Sequence, residues 1–139
     1  MRLYNIHGKL QSKRVTKYLI SWEKKSRSKL QFAVKQFFKP YWENHIVYEE
    51  FPVFGTRMKV DLLNATKKIA VEVNGPQHGS FNKFFHDNSR LKYLESIKRD
   101  CQKREWLEQN DFKVLEIEES DIEKLSPKFI EQTFGCVII

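Results

Sequence analysis

The chain has 139 residues, enough for one domain with a substantial core and too few for two such domains. Hydrophobic residues make up 40% and aromatic residues 14%, which is typical of a folded globular protein and excludes a disordered chain. The formal net charge of +7 favours polyanionic partners, nucleic acid before an anionic membrane surface, although charge of this size also serves solubility alone.

The cysteines and the apolar runs indicate in which cellular compartment the protein is expected. Cys101 and Cys136 lie far apart and match no metal-binding spacing, which indicates a reduced chain without a disulfide framework. No apolar run approaches the roughly 20 residues that a membrane span needs, and the first residues contain no signal-peptide core. We therefore expect a cytoplasmic protein with no membrane partner.

Residues 1–28 are predicted to form a basic N-terminal arm or helix ahead of a single domain in residues 29–139. Apolar side chains recur at helical spacing in residues 13–22, which indicates a short basic helix. Its Lys and Arg side chains fit a solvated helix face and contacts to phosphates equally well. The candidate DNA contacts, here and in two later segments, are Lys13, Arg14, Lys24, Lys25, Arg27, Lys83 and Arg90.

A stronger helix is predicted over residues 29–38, with Ser26 or Ser28 as its N-cap. Its apolar side chains follow the spacing of one helix face, and Gln31 lies at the edge of that face. Pro40 is expected to stop regular helix, because proline has no N–H to donate and clashes with the preceding turn.

Three strands follow in sequence, at residues 46–53, 58–63 and 69–73, and predict an antiparallel meander. A polar turn at residues 64–68 joins the last two strands into a hairpin. After the meander, residues 79–88 combine phenylalanines with polar side chains, which favours a binding loop or a lid over a piece of core.

The longest helix is predicted over residues 89–109, and its buried stripe is expected to contain Leu91, Leu94, Ile97 and Cys101. A strand over residues 112–117 comes next. Because a long helix joins this strand to the hairpin, we expect it to pair in parallel, by a crossover connection.

A last helix is predicted to begin at Ser120 or Asp121 and to reach about Gln132. The apolar end, residues 137–139, either packs on the sheet or marks an interface. The order of elements predicts an α/β (α+β) domain: a central mixed sheet, made of a three-strand meander plus a crossover strand, flanked by helices.

Two carboxylates interrupt the apolar strands of the hairpin. Asp61 stands between Val60 and Leu62, and Glu72 stands between two valines. A buried carboxylate without a partner is costly, and a shared cation would remove that cost. Taken singly, each carboxylate is better explained by an ion pair with a nearby Lys or Arg. Their joint placement on neighbouring strands indicates a divalent-metal site.

Further polar residues suit phosphodiester hydrolysis. The reaction needs a metal ion that neutralises phosphate charge and lowers the pKa of an attacking water, and carboxylate oxygens suit Mg²⁺ or Mn²⁺. It also needs a proton-transfer group, for which His78 is placed directly after the second strand of the hairpin. Asp100, on the long helix, can orient that imidazole or a water. Taken singly, His78 and Asp100 are each more often structural.

The motif Asp61…Glu-Val-Asn-Gly-Pro-Gln-His, residues 72–78, resembles the restriction-endonuclease-like, or PD-(D/E)XK, nuclease core. The usual lysine two positions after the acidic residue is replaced by Asn74. This departure, together with His78 and Asp100, resembles the branch that contains the very-short-patch repair endonucleases and the EDxHD homing endonucleases of phages and introns. The resemblance covers residues 29–117. In the place of the family's first acidic residue the best match is Gln31, with Glu23 and Glu50 as rivals.

The resemblance implies a restriction-endonuclease-like core and Mg²⁺- or Mn²⁺-dependent cleavage of double-stranded DNA, as in a phage or mobile-element homing endonuclease. It implies host-cell cytoplasm as the compartment if the chain is phage-encoded, and it does not imply a zinc site. It also implies roles at the site: a metal ligand in Asp61, a second ligand in Glu72 or the Val73 carbonyl, a general acid/base in His78, an orienting group in Asp100, and support from Gln77, Gln31 and His86.

Two other readings remain open at this point. One is a structure- or mismatch-selective nicking nuclease, and the other is a DNA-binding module that keeps the fold but has lost the chemistry, which the uncharged Gln31 permits. The chain has little beyond the core except the basic arm. Target specificity is therefore expected to be low or to come from a homodimer or an accessory specificity protein.

Overall fold

A four-stranded mixed sheet forms the centre of the computed structural model, which describes residues 1–75 and 90–139. Within these residues, three α-helices and six strands occur in the order β1 (Arg2–Tyr4), β2 (Leu10–Ser12), α1 (Lys29–Trp42), β3 (Val47–Pro52), β4 (Lys59–Asn64), β5 (Ile69–Asn74), α2 (Arg90–Gln109), β6 (Lys113–Glu118) and α3 (Pro127–Phe134). Two short 3₁₀ turns, Thr16–Tyr18 and Glu119–Lys124, lie between them.

The strand order of the central sheet is β3-β4-β5-β6. β3, β4 and β5 pair antiparallel as a meander, with Leu62 opposite Val71. β6 pairs with β5 in parallel, with Glu72 opposite Glu116. The predicted meander, the parallel crossover strand and the mixed α/β class are confirmed.

Apolar side chains alternate between the two faces of the sheet, so each face has its own core. Leu63 and Ala70 belong to a cluster with Trp106 and Phe112, beside the C-terminal end of α2. Their neighbours along the strands, among them Leu62 and Val71, join α1, α3 and Ile138 on the opposite face. Since both faces are covered, consecutive residues of β4 and β5 are buried and apolar, as at residues 62–63 and 69–71.

α1 begins as predicted, because the Ser28 hydroxyl accepts a hydrogen bond from the Gln31 N–H. The prediction that Pro40 stops the helix is wrong, since the helix continues to Trp42. Phe38 and Trp42 are fully buried and stack on each other at 4.1 Å between ring centroids. Burial of this last turn offsets the cost of a proline inside a helix, which is about 3 kcal/mol.

The predicted buried stripe of α2 is wrong: Leu91, Leu94, Ile97 and Cys101 are all exposed. Only Trp106 and Leu107, near the C-terminal end, are buried. The side chains that face the sheet before them are charged, because they line the cleft described below. The apolar positions in the first turns therefore lie on a different side of the helix from the core.

The prediction of a basic helix over residues 13–22 is also wrong, because the structure has only the 3₁₀ turn Thr16–Tyr18 there. Ahead of it, β1 and β2 form an antiparallel hairpin. Leu3 and Val15 pack into the core cluster beside Trp106. The Asn110 side chain accepts from the Tyr4 N–H and donates back to the Tyr4 carbonyl, so the N-terminal hairpin is anchored to the end of α2.

At the other end of the chain, the predicted helix start at Ser120 or Asp121 is wrong: both residues lie in the 3₁₀ turn Glu119–Lys124, where Asp121 accepts a hydrogen bond from the Glu118 N–H. The α-helix of this region, α3, begins after Ser126, whose hydroxyl accepts from the Phe129 N–H. Ile138 is buried and its carbonyl accepts from the Trp42 indole. No helix within residues 1–75 and 90–139 is both long and apolar enough to cross a membrane.

Candidate metal and phosphate site

A cleft of about 200 Å³ opens at the end of the sheet where β5 finishes and β4 begins. It lies between these strands, the start of β6 and the face of α2 that turns towards them. Acidic and basic side chains line it in equal numbers. The lining consists of Arg27, Lys59, Asp61, Glu72, Val73, Asn74, Gly75, Asp100, Lys103, Arg104, Leu107, Val114 and Glu116.

Asp61 and Glu72 are tied to each other through the backbone of β4 and β5. The Val73 N–H donates to Asp61 Oδ2 at 2.8 Å, and the Asp61 N–H donates to Glu72 Oε2 at 3.2 Å. One oxygen of each carboxylate is thereby fixed by an N–H group. The second oxygen of each, Asp61 Oδ1 and Glu72 Oε1, is left for another partner.

In this structure that partner is a cation of the chain itself. Lys103 Nζ lies 2.6 Å from Glu72 Oε1, and Arg27 Nη2 lies 3.7 Å from Asp61 Oδ1. The two contacts differ in exposure: the Lys103 side chain is 18% exposed, whereas that of Arg27 is 70% exposed. Because solvent screens an exposed pair, Arg27 holds Asp61 only weakly, while the Lys103 pair is sheltered.

The environment of Glu72 opposes its ionisation. Burial, followed by the nearby charge of Asp61, raises the pKa of Glu72 to about 7, although Lys103 acts in the opposite direction. Asp61 and Glu72 hold two negative charges close together in a sheltered cleft, with Arg27 and Lys103 as their counter-ions. Because the Arg27 contact is exposed and weak, a divalent cation between the two carboxylates would add stabilisation here.

Glu50 is the next carboxylate along the sheet. The pairing of Glu49 with Leu62 and of Phe51 with Val60 places Glu50 beside Asp61 across the β3–β4 pair. Its backbone φ of 53° is left-handed, which is unusual for a residue other than glycine and costs of order 1–3 kcal/mol. Arg27 bridges the two strands, since its Nε lies 4.0 Å from Glu50 Oε1.

Gln31 does not line the cleft. Its buried amide donates to Glu49 Oε2 at 3.0 Å and to Glu50 Oε1 at 3.2 Å. The rival position Glu23 pairs with Lys39 on the surface. Of the three residues considered for the family's first acidic position, Glu50 is the one linked to Asp61, through Arg27.

Beneath Arg27 lies a buried ion pair. Lys35 is fully buried on α1 and donates to Glu49 Oε1 at 2.9 Å and to the Lys24 carbonyl at 2.7 Å. The Ser26 hydroxyl donates to the other oxygen of Glu49. These bonds attach the segment before α1 to β3, and they hold Arg27 at the mouth of the cleft.

Among the other predicted site residues, Asp100 lines the cleft, as does Val73. His78, Gln77, His86 and the DNA-contact candidate Lys83 lie outside the described residues. The remaining DNA-contact candidates are exposed basic side chains, namely Lys13, Arg14, Lys24, Lys25, Arg27 and Arg90. Of these six, Arg27 lines the cleft.

Two basic residues of the cleft, Lys103 and Arg104, were not predicted as site residues. Arg104 pairs with Glu116 of β6. A signal was present: Asp100, Lys103, Arg104 and Leu107 recur at the spacing of one helix face. The apolar residues of the first turns led to the prediction that a different face of the helix is buried. A charged face that continues into a buried leucine is typical of a helix lining a polar cleft.

The donor set suits Mg²⁺ or Mn²⁺, which favour carboxylate oxygens. No group of three or more His, Cys, Asp or Glu side chains arranged to hold a metal ion occurs in the part of the chain that the structure describes. Mg²⁺ is commonly held by only one or two carboxylates together with substrate phosphates and waters. Asp61 and Glu72 fit that arrangement, with one oxygen each to offer.

Part of the chain is similar to a viral protein. The chain is 30% identical over 87 residues to "Uncharacterized protein 033L" of Invertebrate iridescent virus 3. The match covers 63% of this chain and 44% of the relative, so the chain spans less than half of that protein's length. No family model and no solved structure matches the chain.

Proposed function

We propose that the protein is a metal-dependent endodeoxyribonuclease of the restriction-endonuclease-like fold, most similar in its site to the EDxHD homing endonucleases. The observation that carries the proposal is the pair Asp61 and Glu72. The two carboxylates lie on neighbouring strands in a sheltered cleft at the sheet end. Asp61 accepts a hydrogen bond from the Val73 N–H, and Glu72 accepts one from the Asp61 N–H.

Asp61 and Glu72 would hold Mg²⁺ or Mn²⁺ through the oxygens that their backbone bonds leave open, with the Val73 carbonyl as a further candidate. When bound, the ion neutralises charge on the phosphodiester and promotes ionisation of the attacking water. His78 would transfer the proton, and Asp100, which lines the same cleft, would orient that imidazole or a water. Gln77, His86 and Gln31 remain supporting candidates.

The basic side chains around the cleft support double-stranded DNA as the substrate. Arg27 and Lys59 are exposed at its mouth, and Lys24 and Lys25 precede Arg27 on the same tethered segment. Exposed Lys and Arg contact phosphates without reading the base sequence. We accordingly propose DNA binding dominated by the backbone, with sequence specificity supplied by a homodimer or a partner protein.

The direct test is cleavage of supercoiled plasmid in the presence of Mg²⁺ or Mn²⁺. Asp61→Asn removes one negative charge without changing side-chain size, and His78→Ala removes the proposed proton-transfer group. Each should lower the cleavage rate at least a hundredfold, in the range of a lost acid/base or electrostatic contribution. The exposed carboxylate of Glu123 offers a matched control, Glu123→Gln, which should cleave at the wild-type rate. Undiminished cleavage by either site variant would refute the assignment.

A second candidate is a DNA-binding module without nuclease activity. The observation that favours it is that Lys103 and Arg27 already neutralise the two carboxylates, while Gln31 brings no charge. This candidate predicts DNA binding that weakens with salt and no cleavage under either metal. A panel of nicked, branched and mismatched duplexes in the same assay separates both candidates from a structure-selective nicking enzyme.

A further inference from the structure

The ammonium group of Lys103 contacts the Glu72 oxygen that the backbone hydrogen bond leaves open. Glu72 Oε2 already accepts from the Asp61 N–H, and Glu72 Oε1 lies 2.6 Å from Lys103 Nζ. The Glu72 side chain is 13% exposed, so the pair is sheltered from solvent. In this arrangement Lys103 acts as the counter-ion of the carboxylate.

A lysine ammonium and a divalent cation cannot both contact this oxygen at full strength, because like charges a few ångströms apart repel strongly in a sheltered site. Ligation by Glu72 therefore requires Lys103 to move away. The lysine stem is long and rotates freely, so the ammonium can move without any shift of α2.

The cleft limits where Lys103 can go. Glu116, across the β5–β6 pair, is already bound by Arg104. Asn74, two residues after Glu72, carries no charge and its amide donates to Glu118 at 3.1 Å. The other carboxylates of the cleft, Asp61 and Asp100, line the same space as Lys103. An ammonium that leaves Glu72 thus stays beside carboxylates, in the part of the cleft that a phosphodiester must enter to reach them.

We propose that Lys103 is a movable counter-ion: it neutralises Glu72 in the metal-free protein and passes to the phosphodiester when a divalent cation takes the carboxylates. The inference rests on the proposed function of the same site. It assigns to Lys103 a direct contact with substrate, and it predicts effects of opposite sign on metal affinity and on cleavage. A lysine that served the fold alone would weaken both.

The test compares Lys103→Met with wild type in two measurements. Mn²⁺ binding to the metal-free protein is followed by the electron paramagnetic resonance of free Mn²⁺, at about pH 8, where carboxylates are ionised. The variant should bind Mn²⁺ about tenfold more tightly, since a competing positive charge is gone. At saturating Mn²⁺, its rate of plasmid cleavage should fall about a hundredfold, because the phosphodiester loses a cation.

Three further variants keep the result interpretable. Lys103→Arg retains the charge and should restore wild-type Mn²⁺ affinity with partial recovery of cleavage. Lys103→Gln tests the same loss of charge with a polar side chain, should the methionine variant fail to fold. Lys98→Met removes an exposed lysine from the same helix and should change neither quantity.

Unchanged or weaker Mn²⁺ binding by a folded charge-removing variant would overturn the proposal for Lys103 alone. Two other results would overturn the metal site itself, and with it both the proposed function and the proposal for Lys103. The first is wild-type protein that binds no Mn²⁺, and the second is Mn²⁺ binding that survives Asp61→Asn. The two failures are therefore distinguishable in the same titrations.

Discussion

Replacing Glu72 with Gln should change the pH dependence of stability in the metal-free protein. Burial and the charge of Asp61 raise the pKa of Glu72 from its ordinary value of 4.5 to about 7. Between these two values the folded protein binds a proton that the unfolded chain does not. Stability therefore falls as the pH rises through this interval, and a permanently neutral glutamine removes that loss.

The size of the effect follows from the pKa difference. A rise from 4.5 to about 7 corresponds to about 3 kcal/mol in the free energy of unfolding. At about pH 5 most folded molecules carry a protonated Glu72, so Glu72→Gln and wild type should be nearly equal in stability. At about pH 8 the variant should be more stable, by up to about 3 kcal/mol.

Urea unfolding in the presence of a chelator measures the free energy of unfolding of both proteins at each pH, from the midpoint and the slope of the transition. Glu123→Gln, at an exposed carboxylate, controls for the general effect of removing a negative charge from a basic protein. We expect the difference in free energy of unfolding between Glu72→Gln and wild type to change between pH 5 and pH 8. If it stays constant to within about 0.5 kcal/mol, ionisation of Glu72 does not destabilise the fold and the explanation is refuted.

Three other outcomes follow from the same structure. Because a proton competes with the metal for Glu72, the affinity for Mn²⁺ should fall about tenfold for each pH unit below about 7; a flat profile in a calorimetric titration would argue against Glu72 as a ligand. Lys35→Met should destabilise the fold by about 3–5 kcal/mol, because it removes a fully buried ammonium and leaves the partly buried Glu49 without that partner, and Lys35→Met/Glu49→Gln should recover part of this loss in urea unfolding. Pro40→Ala should stabilise the protein by about 1–2 kcal/mol, because the residue is exposed within α1 and alanine restores a helical N–H; a lower thermal midpoint would contradict this.

Cations of the chain itself lie beside the two carboxylates of the cleft. The sequence alone suggested that Asp61 and Glu72 would need an external cation. In the structure Arg27 and Lys103 take that place, the first exposed and the second sheltered. Both carboxylates thereby have counter-ions within the chain, and under the proposed function these cations would lie where the phosphodiester approaches.

The sequence by itself determined the strands of the central sheet, their order and the placement of the two carboxylates on neighbouring strands. Strand signals are local: short runs of Val, Ile and Leu bounded by polar turns define β4 and β5, and the long intervening helix requires the parallel pairing of β6. Because Asp61 and Glu72 interrupt these runs, their placement on neighbouring strands could be predicted, whereas the cleft beside them at the end of the sheet is a finding of the structure.

Only the tertiary structure decided which face of α2 meets the sheet and how far α1 extends. Leu91, Leu94 and Ile97 have the spacing of a core face, yet they are exposed, because the sheet end opposite them is polar and attracts Lys103 and Arg104. In both helices, contacts with residues distant in sequence outweigh the structure that the local sequence favours. In α1, burial of Trp42 keeps the helix intact beyond Pro40. Such partners are separated in sequence and meet only in the folded chain, which is why Lys103 could not be assigned to Glu72 before the fold was known.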